Sequence, residues 1–254
     1  MNELLILIQA HNEEKQIQQC VQSIKDLTIP GNIKSELYVI LDRCTDNTKE
    51  LVKQCGVNVL EKGFVGEHVC TSANNITYAL EQIKFGDFIL KVDADVQQVP
   101  RDALVELFEH LQGDIKRVSS EAKPKSGKFW LDFLFWLREL NYRFAPMGEE
   151  PRGAFCLFER KTVSAIDGFS KDKPSWDTAF DLKIKEKGWK VKKVNSVCVT
   201  EKRNFTVRSL VNHQLNEGKY RKQLGIGFKR TLLHSLFRFR LFVLYGYLMT
   251  SFNS

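Results

Sequence analysis

The sequence predicts an α/β protein: a mostly parallel central sheet with helices on both faces, followed by a helical C-terminal extension. Three observations predict it. Short apolar runs alternate with helical patterns over the first 112 residues. Polar, mostly acidic clusters recur immediately after apolar runs, where open α/β sheets hold their ligands. The composition, 43% hydrophobic and 27% charged over 254 residues, is that of a globular chain able to bury a core without staples.

The elements follow in order. Leu4–Ala10 is a compact apolar strand, and a polar helix runs from about Glu13 to Ile24. Glu36–Leu41 reads as a second strand and Thr45–Cys55 as a helix closed by Gly56. Val57–Leu60 is a third strand and Thr71–Gln82 a helix. Asp87–Val92 is a fourth strand, and Pro100 opens a helix to Leu111, a position where proline is tolerated. The segment Glu121–Gly127 (EAKPKSG) reads as a loop before an aromatic helix at 128–144. Two parts are expected: a domain over 1–225, divided into halves at 1–112 and 113–225, and a basic aromatic helix over 226–254.

Charge is uneven. From Lys183 to Ser254 there are 16 Lys/Arg against 3 Asp/Glu, a net of +13; the preceding part has 22 against 28, a net of −6. A basic end points to an anionic partner: nucleic acid, an anionic membrane face or a phosphorylated substrate. The six cysteines are scattered without CxxC or zinc spacing, which suits reduced, inert thiols. The opening MNELLILIQAHNEE has no basic leader and no run long enough to span a bilayer, so a cytoplasmic location is expected.

The candidate residues stand just after strands. His11-Asn12-Glu13 follows the first, Asp42-Arg43-Cys44-Thr45-Asp46 the second, and Asp93-Ala94-Asp95 the fourth. Two carboxylates leaving a strand at alternate positions suit a hard divalent cation, Mg²⁺ or Mn²⁺, which shares its other sites with water and phosphate. Taken alone, an Asp-x-Asp is also what solvated loop aspartates produce. Asp46 reads as a turn or cap residue, and Glu13 also suits the first turn of a helix.

The succession LLILIQAHNEE, ILDRCTDNT and FILKVDAD resembles the donor half of family 2 glycosyltransferases of the GT-A fold. GAFCLFERKTVSAIDGF (153–169) and WDTAFDLKIKEKGWKV (176–191) extend the resemblance over roughly the first 200 residues. The resemblance implies an inverting, metal-dependent hexosyl transfer from a UDP- or GDP-linked sugar. It implies that Asp42 accepts a hydrogen bond from the nucleobase while Ala10, His11 and Glu13 line base and ribose. Asp93 would contact ribose or phosphate, and Asp95 would be the principal ligand of Mg²⁺ or Mn²⁺, with Asp93 beside it. Asp177 falls where the family places its catalytic base, in a helix that ends before Gly188; Asp181, one turn on, reads as a solvated helix residue.

Three departures stand out. Trp176 occupies a position where the family usually has Glu. The loop before Thr71 reads GFVGEHV instead of carrying Gly-Lys, so the cation facing the diphosphate must come from elsewhere. HQLNEGKYRKQLG (213–225) does not match the family's Gln-x-x-Arg-Trp; His213, Arg221 or Lys222 would be the substitutes, each otherwise a surface residue.

The helix at 128–144 is apolar over a wide arc, carrying Trp130, Phe133, Leu134, Leu137 and Leu140 on one face. The segment 231–249 reads as a further aromatic helix interrupted by Arg238 and Arg240, too short in its apolar run to span a bilayer but suited to lie in a membrane interface. The acceptor is therefore expected to be a glycan or a lipid-linked hydroxyl, with peripheral contact at the inner membrane face. Two other classes compete. A nucleotidyltransferase would want a basic, Gly-rich loop after the first strand, and QAHNEE is neither. A basic nucleic-acid binder would want a recognised motif, and an acidic cleft repels phosphates without metal.

Overall fold

The run Leu4–Ile8 lacks polar alternation because the strand it forms is covered on both sides. The computed structural model describes residues 2–63, 71–142, 151–173, 175–202 and 206–250. There this strand, β1 (Asn2–Ala10), lies inside an eight-stranded sheet. Leu4, Ile6 and Ile8 enter one hydrophobic core and Leu5 and Leu7 the other, which is the two-residue period of a strand.

The alternation predicted for the first 112 residues is present, with shifted ends. After β1 come α1 (Ile17–Lys25), β2 (Ile33–Asp42), α2 (Thr48–Gln54), β3 (Asn58–Lys62) and α3 (Thr71–Gln82). Then follow β4 (Phe88–Asp93), the two-residue β5 (Val96–Gln97) and α4 (Ala103–His110). α1 starts later than the polar pattern suggested, because Asn12 takes a left-handed φ of 56° and residues 13–16 form a turn first. Residues of α1, α2 and α4 fill the first core, and residues of α3 fill the second, so helices cover both faces.

The second half begins with a difference. Glu121–Gly127 is not a loop throughout: β6 (Ile115–Lys125) runs through most of it. Ser119, Ser120 and Ala122 are buried on that strand, so burial in the sheet carries the strand past the point where a polar, Pro-containing composition would end it. After α5 (Phe129–Tyr142) come β7 (Phe155–Glu159), α6 (Arg160–Ala165), α7 (Trp176–Glu186) and β8 (Lys190–Lys202). The strand order is β3-β2-β1-β4-β7-β6-β8-β5. The β2–β3, β1–β2 and β1–β4 pairings are parallel; β4–β7, β6–β7 and β5–β8 are antiparallel. The Arg160 guanidinium donates to the carbonyls of Leu80, Ile83, Phe85 and Gly86, closing the end of α3.

The chain divides into two compact units. Unit 1 comprises Met1–Lys123, Glu150–Asp172 and Trp176–Lys202 and contains the sheet. Unit 2 comprises Pro124–Glu149, Lys173–Ser175 and Arg203–Ser254. It is helical, with α5, α8 (Val207–Gln223), α9 (Phe228–Phe237) and α10 (Leu241–Met249).

The aromatic C-terminal segment is therefore two helices rather than one. The break falls at Arg238–Arg240, where Phe239 has φ 52°. Within unit 2, α10 lies close against α8. A Cβ at Gly218 would stand 2.0 Å from the Val243 carbonyl oxygen, and one at Gly246 would stand 2.2 Å from that of Leu215. Only glycine permits this approach. Among the described residues no helix is long and apolar enough to cross a membrane.

Candidate active site

β1, β2 and β4 finish together. Ala10 pairs with Leu41, and Gln9 pairs with Asp93, so the segments after these strands leave the sheet side by side. Two of the residues there, Asn12 (φ 56°) and Arg43 (φ 52°), adopt the left-handed region. For a non-glycine residue that conformation is uncommon and concentrates at functional sites.

A web of short bonds holds the two loops. The Asn12 side-chain oxygen accepts from the Thr45 amide at 2.7 Å. The Thr48 hydroxyl accepts from the Glu13 amide at 2.7 Å. His11 Nδ1 lies 2.6 Å from the Asp42 carbonyl oxygen, an acceptor only, so that nitrogen donates. Asp46 accepts from the Thr48 amide at 3.0 Å and from the Glu14 amide at 3.1 Å. It is the turn residue its position suggested, just ahead of the Asn47 cap of α2, and these bonds hold its carboxyl below the usual range against the opposing push of burial.

Asp42 ends β2 with its side chain buried. Arg43 Nε donates to it at 2.8 Å and Asn75 Nδ2 at 3.2 Å, while Lys62 Nζ donates to the Asn75 side-chain oxygen at 2.7 Å. Burial alone would raise the Asp42 pKa. The bonds from Arg43 and Asn75, with the charges of Arg43 and Lys62, outweigh it and draw the carboxyl below its ordinary value. Burial lowers the Lys62 ammonium in turn. The result is an ionised carboxylate fixed in direction at the strand end.

Asp93 ends β4, and its carboxylate pairs with Lys91, two residues back on the same face of the strand. Lys91 is only 1% exposed. Its ammonium also donates to the Gly153 carbonyl at 2.8 Å and lies 5.0 Å from the centre of the Trp176 ring. Asp95 follows, its backbone carbonyl accepting from the Lys202 amide at 2.9 Å. Buried Cys20 reports how these acids gather: its thiol is pushed well up, first by burial and then by the charges of Asp95, Asp93 and Glu13. The same thiol donates to the Asp93 carbonyl at 3.6 Å, which seats it against the end of β4.

Asp93, which is also paired with Lys91, and Asp95 are the residues here that could hold a hard divalent ion together with a substrate diphosphate. Asp93 and Asp95 offer carboxylate oxygens, and among the described residues no group of three His, Cys, Asp or Glu forms a complete protein cage. One or two carboxylates plus substrate phosphates is the usual arrangement for Mg²⁺.

Asp177 stands in the first turn of α7, half-buried, with its carboxylate accepting from the Thr178 amide at 2.8 Å. Its charge is felt by Arg117, Asp181 and Cys156. Asp181 differs from the solvated residue its helix position suggested. It is 7% exposed and ion-paired with fully buried Arg117 on β6. Arg117 also donates to the Arg152 carbonyl at 2.8 Å and places its guanidinium carbon 5.4 Å from the Trp176 ring. The reason is burial: α7 packs this side onto the second core, where an acid stays only when paired. Burial pushes the Asp181 carboxyl up to about 6 against the pull of Arg117.

Trp176 thus takes two buried cations on its indole, consistent with the attraction of a cation for an aromatic face. It rests against Gly153, where a Cβ would lie 2.8 Å from the ring. Lys91 and Arg117 were not recognised as parts of the site in the sequence, and Trp176 was read only as a departure from the family pattern. The signal available was a lysine inside an apolar run two residues before Asp93.

The substitutes named for the missing C-terminal motif lie in unit 2. His213 is exposed there and Lys222 donates to the Thr250 carbonyl. Arg221 is a correction: it is buried, its Nε donating to the Thr231 hydroxyl at 3.4 Å. The loop GFVGEHV falls almost wholly outside the described residues.

Residues 5–120 match the profile of the family described as Glycosyl transferase family 2. Over these residues the chain is similar to the family 2 glycosyltransferases. The match takes in β1 through β5 and ends before Asp177. No curated protein sequence matches this chain.

Solved structures give its fold, GT-A. A mannosyltransferase from Pyrobaculum calidifontis, in complex with GDP-Man and Mn²⁺, superposes with a TM-score of 0.66 at 19% identity, covering 96% of this chain and 72% of that one. A glucosyl-3-phosphoglycerate synthase from Mycobacterium tuberculosis, with Mn²⁺, UDP-Glc and phosphoglyceric acid, gives 0.61 at 18%, covering 89% and 81%. The same synthase with Mg²⁺ and UDP gives 0.57 at 17%, covering 85% and 77%.

Proposed function

We propose that this glycosyltransferase moves a sugar, with inversion, from a UDP- or GDP-linked donor to the hydroxyl of a glycan or lipid-linked acceptor. The observation that carries the reading is the convergence of Glu13, Asp42, Asp93 and Asp95 on the ends of adjacent parallel strands. In such sheets that edge is where nucleotides bind.

Each residue has a task suited to its surroundings. The fixed, ionised Asp42 accepts a ring N–H, which uracil and guanine both offer. Ala10, His11 and Glu13 line the base and ribose. Asp93 faces ribose or phosphate, and Asp93 and Asp95 hold Mg²⁺ or Mn²⁺, the ions bound by the mannosyltransferase and the synthase of this fold. Such an ion, when bound, neutralises charge on a departing diphosphate.

Asp177 takes the proton of the acceptor hydroxyl as the new O–C1 bond forms and the bond from C1 to the diphosphate oxygen breaks. The nucleoside diphosphate leaves with the bonding pair, and inversion follows from attack opposite to it. A carboxylate needs no glutamate neighbour for this step. Trp176 leaves Asp177 in the first turn of α7, while Asp181 one turn later is occupied by Arg117.

Thermal melting with a series of sugar nucleotides, in Mg²⁺, in Mn²⁺ and in chelator, tests the reading. A matching donor at about 100 times its Kd adds about 2.7 kcal/mol by mass action. A rise in melting temperature with one uridine or guanosine donor, lost in chelator, is the expected result. No response to any donor with either ion would overturn it.

A further inference from the structure

Among the described residues, every large hydrophobic side chain that stands exposed belongs to unit 2. On α5 these are Phe129, Trp130, Phe133, Leu134 and Trp136, with Phe129 at 88% and Trp136 at 57%. On α10 they are Leu241, Phe242, Tyr245, Leu248 and Met249, spaced i, i+1, i+4, i+7 and i+8 along one face. The opposite face of α10 carries buried Val243 and Gly246 against α8, so packing within the unit is already satisfied there. α9 joins the two: it packs on both α5 and α10 and exposes Phe228, Leu233 and Leu236. At the break between α9 and α10, Phe239 is 66% exposed.

Charge separates the units as sharply. Unit 2 has 14 Lys/Arg against 4 Asp/Glu, a net of +10; unit 1 has 24 against 27, a net of −3. Lys125 and Lys128 stand exposed beside the start of α5, and Lys229 and Arg230 stand exposed on α9. Glu217, an acid of this unit, is turned inward to Arg240 at 2.6 Å and His234 at 3.2 Å.

We propose that the exposed apolar face of α5, α9 and α10 is a docking surface for an anionic phospholipid bilayer, in which these helices lie in the plane of the interface. The inference goes beyond the proposed reaction and rests on unit 2 alone. Charge selects the occupant. A second copy would set +10 against +10, whereas anionic headgroups complement the exposed cations and attract each by up to about 1 kcal/mol. Length selects the orientation. α10, with nine residues, is about 13 Å long, less than half the roughly 30 Å of a hydrocarbon core. Apolar residues on one face of a short helix, with Lys and Arg beside them, suit burial to a depth of about 5–10 Å.

The test uses the full chain, without donor or metal, so its outcome is independent of the reaction. Flotation with phosphatidylcholine vesicles is compared with flotation when phosphatidylglycerol is included. Binding to the anionic vesicles only, weakening with salt, is expected, with a blue shift of tryptophan emission and quenching by brominated lipid. Both optical changes should disappear in Trp130→Phe/Trp136→Phe, because the remaining tryptophans, buried Trp176 and half-buried Trp189, belong to unit 1. Lys229→Gln/Arg230→Gln should lower partitioning by up to about 30-fold, the product of two factors of about five.

Absence of binding to anionic vesicles at low salt would overturn the proposal. So would binding that leaves tryptophan emission unchanged. Self-association in sedimentation that shields Trp130 and Trp136 without lipid would assign the face to a second copy instead.

Discussion

The ammonium of Lys91 lies 5.0 Å from the Trp176 ring centre, and the same ammonium pairs with the Asp93 carboxylate. Trp176 precedes Asp177 in α7, so this contact links the strand end carrying the Asp-x-Asp to the helix carrying the proposed base. Trp176→Leu removes the aromatic face from two buried cations and leaves a cavity beside Gly153. We expect a loss of about 2–4 kcal/mol in urea unfolding, somewhat below truncation of an aromatic to alanine. Trp176→Phe keeps a ring for Lys91 and should lose visibly less. Equal losses would show that volume alone matters at this position.

Asp177→Asn removes the proton acceptor without changing the size of the side chain. Turnover should fall by about 10²–10⁴, the usual worth of a general base, while the donor Kd stays the same. Rapid-quench transfer assays beside donor titration separate the two quantities. Normal turnover would remove Asp177 from the mechanism.

Asp95→Ala takes one hard oxygen ligand from the proposed metal site. Donor binding measured by calorimetry in Mn²⁺ should then resemble that of the unaltered protein in chelator. If chelation leaves donor affinity of the unaltered protein unchanged, the role given to Asp93 and Asp95 falls.

Arg117 and Asp181 form a buried ion pair, so truncating one side leaves an uncompensated charge. Arg117→Met should cost about 3–5 kcal/mol, and Arg117→Met/Asp181→Leu should recover much of it. Chemical denaturation of the two variants decides. A double variant as weak as the single one would mean that packing, not charge, dominates there.

Asp42 has a folded pKa drawn below its unfolded value, with burial opposed and outweighed by Arg43 and Asn75. Its contribution to stability is therefore full above the unfolded carboxylate pKa, about 3.9, and is lost as pH falls through the lower folded value. Unfolding measured from pH 6 downward should show a shallower acid decline in Asp42→Asn than in the unaltered protein. An identical decline would mean that the carboxylate is not held by its neighbours.

The sequence by itself determined the order of strands and helices in the first half, because apolar runs closed by Gly56 or opened near Pro100 are local signals. It also set Glu13, Asp42, Asp93 and Asp95 beside one another at the carboxyl ends of parallel strands, since a residue just after such a strand stands at that edge wherever the strand lies. Asp46 was legible as a turn residue for the same local reason.

Tertiary structure alone decided what neighbours those residues have. β6 runs on into a polar, Pro-containing segment, with Arg117–Ser119 paired on β7 and Ala122 buried. Asp181 is buried because of Arg117, which lies 64 residues earlier. Lys91 becomes part of the site because Trp176 and Gly153 close over it from elements far along the chain. Phe239 breaks the C-terminal helix so that α10 can reach α8 at Gly218 and Gly246. Each of these depends on a contact between distant segments, and hydrophobic period and turn chemistry act over only a few residues.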